Sequence, residues 1–147
     1  MEKKMPEDEV KEEILAFLKK REELVLCTCS NNIPRATPME YYREKNGFNI
    51  YMGLSRGRKV KNIEENPIVS IGIYTPLKEG KVQGMQITAS GKDHVVLLKE
   101  GDAEFPRAQK IVRGKRKLIL KIIPEIIELL DYDFVKQGYD RLQRLEL

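Results

Sequence analysis

The chain has 147 residues, of which 41% are hydrophobic and 34% are charged. This balance is typical of one globular domain and excludes a disordered chain, which would carry fewer apolar residues. No apolar run approaches the roughly 20 residues that span a bilayer, and the charged N-terminus lacks the apolar core of a secretory signal. We therefore expect a single domain over residues 1–147, located in the cytoplasm. The net charge of +4 is mild, so the basic residues matter by where they cluster.

Two cysteines, Cys27 and Cys29, lie in the run LVLCTCS. On a strand they point to the same face, roughly 6.5 Å apart along the chain, and this spacing strains a direct disulfide. His94 is the only histidine, whereas zinc requires four ligands. We expect reduced, buried structural thiols and no metal site; a metal or redox role is the alternative.

Residues 6–21 are predicted to form a helix that packs one apolar stripe on the domain. Acidic residues in its first turn and basic residues in its last turn suit the helix dipole. The residues that share the apolar stripe are Val10, Ile14, Phe17 and Leu18.

Three strands are predicted next. Leu24–Cys29 is an apolar run that ends at the turn cluster 30–32. Arg35–Tyr42 follows, and Asn46-Gly47, the strongest short hairpin signal in the chain, leads into Phe48–Gly53. We expect these three strands to form an antiparallel meander.

The remainder of the chain is predicted to return through a short helix that starts near Gly57 and ends at Pro67. With about six strands and two or three short helices, we expect an all-β barrel or a β-rich α+β domain. The later strands are predicted at Ile68–Tyr74, Val82–Val96 with a bend or bulge near Gly91, and Leu118–Ile123, with a helix around Ala103–Ile111 and a mixed tail over Ile126–Leu147.

The side chains offer little acid–base chemistry of their own. General acid–base catalysis requires a histidine or paired carboxylates in a fixed frame, and His94 stands alone beside Asp93. The sequence has no nucleophile elbow, Walker loop or GxGxxG motif. We predict no catalytic residue, so any redox or group-transfer activity requires a bound cofactor.

The segment GLSRGRKVKNIEENP, residues 53–67, combines a strand end, a Ser-Arg-Gly-Arg-Lys turn and a helix start. Hydroxyl, guanidinium, ammonium and helix N-terminal amide groups are the donors that a phosphate monoester requires. The alternative is a solvated basic helix cap. The segment by itself leaves both interpretations open.

A second basic cluster covers residues 107–117 and could hold a phosphate or bind nucleic acid. A nucleic-acid-binding barrel would also need aromatic residues on its strands to stack bases. Tyr41, Tyr42, Tyr51 and Tyr74 are the candidates for that role.

The order of several segments, over roughly residues 10–132, resembles the pyridoxamine 5'-phosphate oxidase-like split-barrel family. The segments are IPRATPMEYY, GFNIYMG, RGRKVKNIEENP, IVSIGIY, MQITASGK and KLILKIIPEIIELLD. The resemblance implies an antiparallel split β-barrel with an N-terminal helix and short peripheral helices. It also implies FMN at the interface of a homodimer, acting as a flavin-dependent oxidoreductase or electron carrier with a small-molecule electron donor or acceptor. The same barrel can bind a deazaflavin or a haem, which is the alternative.

True pyridoxamine 5'-phosphate oxidases bind their substrate through a C-terminal Arg-x-His segment. The tail GYDRLQRLEL contains no such pair. Oxidation of pyridoxamine 5'-phosphate itself is therefore not expected.

The resemblance also implies which residues contact FMN. The IPRATPM strand would lie along the ring and ribityl chain, and the end of the next strand would approach from the other side. The Arg-Lys pair at the helix start would bind the phosphate with a serine hydroxyl, and a glutamine would contact the ring or ribityl chain. The implied cofactor-binding residues are Arg35, Ala36, Thr37, Pro38, Met39, Glu40, Met52, Gly53, Ser55, Arg58, Lys59 and Gln86.

Two strands, IVSIGIY and KLILKII, are apolar on both faces. A single small barrel can bury only one face of such strands. Burying the second face against a twin predicts a symmetric homodimer with an apolar interface, and the family resemblance implies the same.

Overall fold

The structure is a computed structural model that describes residues 3–147. Helices α1 to α4 span Glu7–Lys20, Arg58–Glu65, Phe105–Ile111 and Asp133–Lys136, and a 3-10 helix covers Leu77–Glu79. Strands β1 to β10 span Glu23–Ser30, Ile33–Glu40, Tyr42–Arg43, Ile50–Gly53, Ile68–Tyr74, Gln83–Ser90, Val95–Lys99, Leu118–Ile122, Ile126–Asp131 and Leu142–Glu146.

The strands form two antiparallel sheets. One sheet has six strands in the order β10-β9-β6-β5-β1-β2, and the other has four in the order β3-β4-β8-β7. The predicted fold class, a mainly β antiparallel split barrel with an N-terminal helix, is confirmed. The strands exceed the expected number of about six because the tail supplies β9 and β10, the segment after Glu40 supplies the short β3, and the expected strand Val82–Val96 divides into β6 and β7.

The core lies between the six-stranded sheet, α1 and one face of the four-stranded sheet. Side chains from all three, including Ile14, Ile71 and Leu120, are at most 1% exposed. A second, smaller cluster lies between α3 and the other face of the four-stranded sheet, where Phe105 packs near Ile119. Both faces of β8 are thus covered within the chain. This part of the sequence argument for a dimer does not hold, because α3 supplies the cover that a twin was expected to supply.

The β1–β2 hairpin sets the positions of the side chains on the edge strand β2. Its two turn residues, Asn31 and Asn32, have φ values of 52° and 61°, as the favoured two-residue hairpin turn requires. The resulting register places Thr37 opposite Leu26. Leu26 is fully buried, so it and Thr37 belong to the inner face of the sheet, and alternate residues belong to the outer face.

The predicted three-strand meander is wrong at its third strand. The chain leaves the six-stranded sheet at Tyr41, which is 5% exposed and donates a hydrogen bond from its hydroxyl to Leu18 O at 2.7 Å. The Asn46-Gly47 turn then joins β3 to β4, and β4 pairs with β8 instead of β2. Burial of one aromatic residue between the strands therefore moves the third strand into the other sheet.

The expected long strand over Val82–Val96 is also two strands in two sheets. Gly91 has a φ of 90°, a left-handed conformation that glycine adopts without strain. It starts a turn in which His94 N and Val95 N donate to Gly91 O at 3.0 and 2.8 Å. β6 therefore ends in the six-stranded sheet and β7 begins in the four-stranded sheet.

The three predicted helices are found as α1, α2 and α3, whereas α4 and the 3-10 helix were not predicted. The α1 stripe is buried as expected, α2 begins at Arg58, and α3 falls within the expected range. Among the helices of residues 3–147, none is long and apolar enough to cross a membrane.

Tyr41→Phe is expected to destabilise the fold by about 1–2 kcal/mol, because Leu18 O is left buried without its donor. Burial raises the pKa of Tyr41 well above its usual value, so the hydroxyl stays a donor at neutral pH. Urea unfolding measures the effect. The control is Tyr132→Phe, whose ring is 51% exposed and which should change stability by less than about 0.5 kcal/mol. Equal stabilities of the two variants would contradict this role for Tyr41.

Candidate functional site

Helix α2 is docked on the inner face of β1 by two polar contacts. Asn62 Nδ2 donates to Thr28 Oγ1 at 3.1 Å, and both residues are at most 4% exposed. Asn66 Nδ2 donates to Cys29 O at 2.9 Å. The carboxyl end of α2 therefore lies at the hairpin end of β1, and its amino end points toward the start of β1.

The amino end of α2 carries two cations, Arg58 and Lys59. Arg58 lies four residues before Asn62, or about 6 Å along a helix axis. Both cations therefore lie about one helical turn from the contact between α2 and β1, the strand that pairs with β2.

Strand β2 is open along most of its length. It is an edge strand, and six of its eight residues are exposed. By the register, its side chains divide between the two faces of the sheet. Arg35, Thr37 and Met39 lie on the inner face, toward α2. Ala36, Pro38 and Glu40 lie on the outer face.

The end of β4 leads into the loop that carries Ser55. Met52 is fully buried in the core, whereas Gly53 is partly exposed and pairs with Ile119. A Cβ atom at Gly53 would lie 2.5 Å from Nε and 2.9 Å from Cδ of Arg116. A larger residue here would displace the Arg116 side chain, which lies against the glycine backbone.

The loop that carries Arg116 is held by Gln109 on α3. Gln109 Oε1 accepts from Arg116 N at 2.7 Å, and Gln109 Nε2 donates to Gly114 O at 2.6 Å. This pair of bonds braces both sides of the loop. In the sequence, residues 107–117 are distinguished only as a basic cluster.

Tyr42 connects β2 to this region. Its hydroxyl donates to Glu40 Oε2 at 3.1 Å. Burial raises the pKa of Tyr42, and the Glu40 hydrogen bond raises it further, while Arg113 and Arg116 lower it. The electrostatic effect of Arg116 on Tyr42 places the end of β2, the end of β4 and the Arg116 loop in one region.

The structure distributes the predicted cofactor residues over several elements. Gly53, Ser55, Arg58 and Lys59 follow one another from the end of β4 into α2, whereas Met52 is buried in the core. Gln86 lies on the outer face of β6 opposite Gly72 and Glu128. Three strand spacings, or about 14 Å, separate β6 from β2. Within one chain, Gln86 therefore does not meet the other predicted residues.

Arg116 is the residue of this region that sequence reasoning missed. It lies 63 positions after Gly53, and nothing in a run of basic residues marks one of them as packed on a glycine. The contact could be inferred only from two residues together, the glycine that ends β4 and an arginine just before β8. The β4–β8 pairing brings these two residues together.

The other candidates from the sequence are the two cysteines, His94 and the tyrosines, and the cysteines are less buried than expected. Cys27 and Cys29 are free and half-buried, and among the described residues no three His, Cys, Asp or Glu side chains are grouped as metal ligands. His94 Nδ1 lies 2.9 Å from Ile123 O. Tyr51 is 3% exposed, and burial together with its bond to Glu44 raises its pKa to about 12. Tyr41 and Tyr51 are thus unavailable to stack bases.

A cleft of about 1100 Å³ lies elsewhere, between the N-terminal segment and β10. Its walls mix both charge signs, from Lys3 and Arg144 to Glu128 and Asp140. Buried Gln143 joins the walls, accepting from Met5 N at 2.9 Å and donating to Asp140 O at 2.8 Å. This cleft contains none of the predicted cofactor residues.

Known proteins resemble this chain both in sequence and in fold. A family model described as pyridoxamine 5'-phosphate oxidase matches residues 10–129. Among curated proteins, no sequence matches this chain.

Several solved structures share the fold. General Stress Protein 26 from Bacillus anthracis has a TM-score of 0.63 at 18% identity, covering 94% of this chain and 98% of that one. A FAD-binding protein from Mesorhizobium loti has a TM-score of 0.66 at 13% identity, covering 80% and 89%. A heme-binding protein from Mycobacterium smegmatis has a TM-score of 0.67 at 14% identity, covering 92% and 57%. At these identities, the similarity shows the fold.

Asn62→Ala is expected to loosen α2 on β1, because Thr28 loses its buried partner. A buried hydroxyl left without a partner costs about 1–3 kcal/mol, and amide hydrogen exchange in α2 should accelerate more than exchange in β5 and β6. Glu64→Ala, on the exposed side of the same helix, is the matched control and should leave α2 protection unchanged. Uniform acceleration over the whole chain would contradict a local docking role.

Proposed function

Because the chain belongs to the pyridoxamine 5'-phosphate oxidase family, we propose that it binds FMN along strand β2 and serves as a flavin-dependent oxidoreductase or electron carrier. The observation that carries this proposal is the placement of Arg58 and Lys59. Both open α2, which docks on β1 next to the exposed strand β2. Among the residues that the structure describes, neither has an ion-pair or hydrogen-bond partner for its side chain.

The side chains present fit a phosphorylated flavin. Two unpaired cations and the N-terminal amides of an eight-residue helix suit a doubly charged phosphate. The open face of β2 offers a long, flat wall beside them.

Each residue then has a role in binding. Arg58 and Lys59 would hold the phosphate with the Ser55 hydroxyl, and Arg35 and Thr37 would contact the ribityl chain and ring from the inner side of β2. When bound, FMN would supply hydride or electron transfer, which these side chains do not offer. The protein supplies orientation and charge.

The substrate is proposed to be a small-molecule electron donor or acceptor other than pyridoxamine 5'-phosphate. The Arg-x-His segment through which true pyridoxamine 5'-phosphate oxidases bind their substrate does not occur in GYDRLQRLEL. This tail instead forms β10, which pairs with β9 at the far edge of the six-stranded sheet from β2. Residues of β10 are therefore remote from the proposed flavin within one chain.

A homodimer is proposed through the outer face of the six-stranded sheet. Large apolar side chains remain exposed there, with Ile68 at 52%, Tyr74 at 69% and Leu142 at 48%. Between them the face carries small residues such as Ser70 and Gly72. Exposed apolar residues around a flat centre suit a second copy of the same sheet.

The division of the predicted cofactor residues between two faces supports the same dimer. Pro38 and Gln86 lie in one row across the outer face, with Val25 and Gly72 between them. A twofold axis along the strands, between β1 and β5, would place β6 of one copy over β2 of the other. Gln86 of the partner subunit would then lie over Pro38, so the dimer would complete the cofactor set.

Lys59→Ala is expected to weaken FMN binding by roughly ten- to a hundredfold, because a charge-assisted hydrogen bond contributes about 1.5–3 kcal/mol. Riboflavin, which lacks the phosphate, should bind this variant and the wild type nearly equally. Titration of the apoprotein with each flavin, followed by flavin fluorescence, measures both affinities.

The matched control is Lys115→Ala, which removes an exposed lysine from the other basic cluster. It should leave FMN affinity unchanged. If Lys115→Ala strips the flavin and Lys59→Ala does not, the phosphate has been assigned to the wrong cluster. A purified wild-type protein that shows no flavin absorption and binds no added FMN would refute the proposed function.

Gly72→Arg is expected to convert the dimer to a monomer in static light scattering at micromolar concentration. A Cβ at Gly72 meets no atom within 4 Å, so the chain itself accommodates the larger side chain, and only a partner over the outer face would be displaced. Glu12→Arg, on the exposed side of α1, should leave the dimer intact. A wild-type monomer, or a dimeric Gly72→Arg variant, would contradict this interface.

A further inference from the structure

Arg116 is charged, partly buried and without a partner. Its Nε is buried and has no hydrogen bond in the part of the chain that the structure describes. Nη1 and Nη2 likewise form no hydrogen bond or ion pair there, but they are not buried. Nε of Arg21 and Arg43 is also buried and unbonded, but those two side chains bond Glu79 and Gly47 O through their other nitrogens. Arg116 has no such bond among the described residues, so its exposed nitrogens are available to an anion.

The Arg116 side chain is held in place before any ligand binds. Its stem lies on the Gly53 backbone, where even a methyl group would collide. Its own N–H is fixed by Gln109, which also braces Gly114 across the loop. Gly114 has a φ of 85°, which allows the loop to turn back onto β4. Little side-chain entropy therefore remains to be lost when the guanidinium binds an anion.

The β4–β8 pairing brings the Arg116 loop to the end of β4. Gly53 pairs with Ile119, and Leu54 N donates to Leu118 O at 3.0 Å. The Arg116 stem lies on Gly53, where the chain leaves β4 for Ser55 and Arg58. Arg116 therefore lies near the segment proposed to bind the phosphate.

We propose that Arg116 is a third cation for the cofactor phosphate, binding its oxygens through Nη1 and Nη2. This inference rests on the proposed function. It assigns one residue of the basic 107–117 segment to the flavin site and leaves the remainder as solvated surface. The planar fork of arginine can bind two phosphate oxygens at once, and Arg116 is less exposed than Lys115 and Lys117 on either side.

The first test compares Arg116→Ala with the wild type in titrations with FMN and with riboflavin. We expect FMN affinity to fall by roughly ten- to a hundredfold and riboflavin affinity to stay the same. Arg116→Lys keeps the charge but loses the fork, and its FMN affinity should lie between those of the other two proteins. Inorganic phosphate should compete with FMN more weakly in Arg116→Ala than in the wild type.

The second test is a cycle with Gly53→Ala. The added methyl group must displace the Arg116 stem, so Gly53→Ala alone should weaken FMN binding. In the Arg116→Ala background the same change has room, and it should weaken FMN binding much less. Additive losses would mean that Gly53 contacts the flavin independently of Arg116.

The outcomes separate this inference from the proposed function. If the wild type binds FMN and Arg116→Ala binds it equally well, only the inference is overturned. If Arg116→Ala weakens FMN and riboflavin equally, the role of Arg116 is structural and the inference is again wrong. If the wild type binds no FMN, both proposals are refuted. A loss confined to FMN, with the same melting temperature as Lys115→Ala, supports Arg116 as a phosphate ligand.

Discussion

The hydrogen bond between Asn62 and Thr28 joins two side chains that are nearly inaccessible to solvent, and the geometry of the candidate site depends on it. Apolar contacts from Val60 and Ile63 hold α2 against the sheet, but such contacts are not directional and would permit the helix to slide or rotate. A buried amide and hydroxyl tolerate far fewer arrangements, because either one left unpaired is costly. The pair therefore sets the position of α2 along β1, and with it the positions of Arg58 and Lys59.

Local signals in the sequence were sufficient for most helices, strands and turns, and insufficient for the assignment of strands to sheets. The Asn46-Gly47 turn and the break at Pro67 are short-range features, and both are found where they were expected. The meander failed because Tyr41 is buried against α1, a contact between segments that periodicity does not connect. Gly91 similarly marks a bend in the sequence, but only the pairing partners of β6 and β7 reveal that the chain changes sheets there.

The residues of the candidate site also differ in whether the sequence alone could identify them. The segment 53–67 combines hydroxyl, cations and a helix start within a few residues, so its chemistry could be recognised from spacing alone. Arg116 could not be distinguished from its basic neighbours, because its distinction is packing against Gly53. Gln86 shows the converse limit: its motif could be recognised from spacing, but its place relative to the other predicted residues depends on the sheet register.

The prolines of β2 have a consequence for how the protein behaves at high concentration. The two-residue hairpin makes Ser30 and Ile33 a hydrogen-bonded pair, so Pro34, Ala36 and Pro38 direct their backbone nitrogens away from β1, toward the open edge. Proline nitrogen carries no hydrogen, and two of these three positions therefore cannot donate to an incoming strand. An exposed eight-residue edge would otherwise be a template for strand addition and fibrous aggregation. The edge can thus stay uncovered without recruiting further chains.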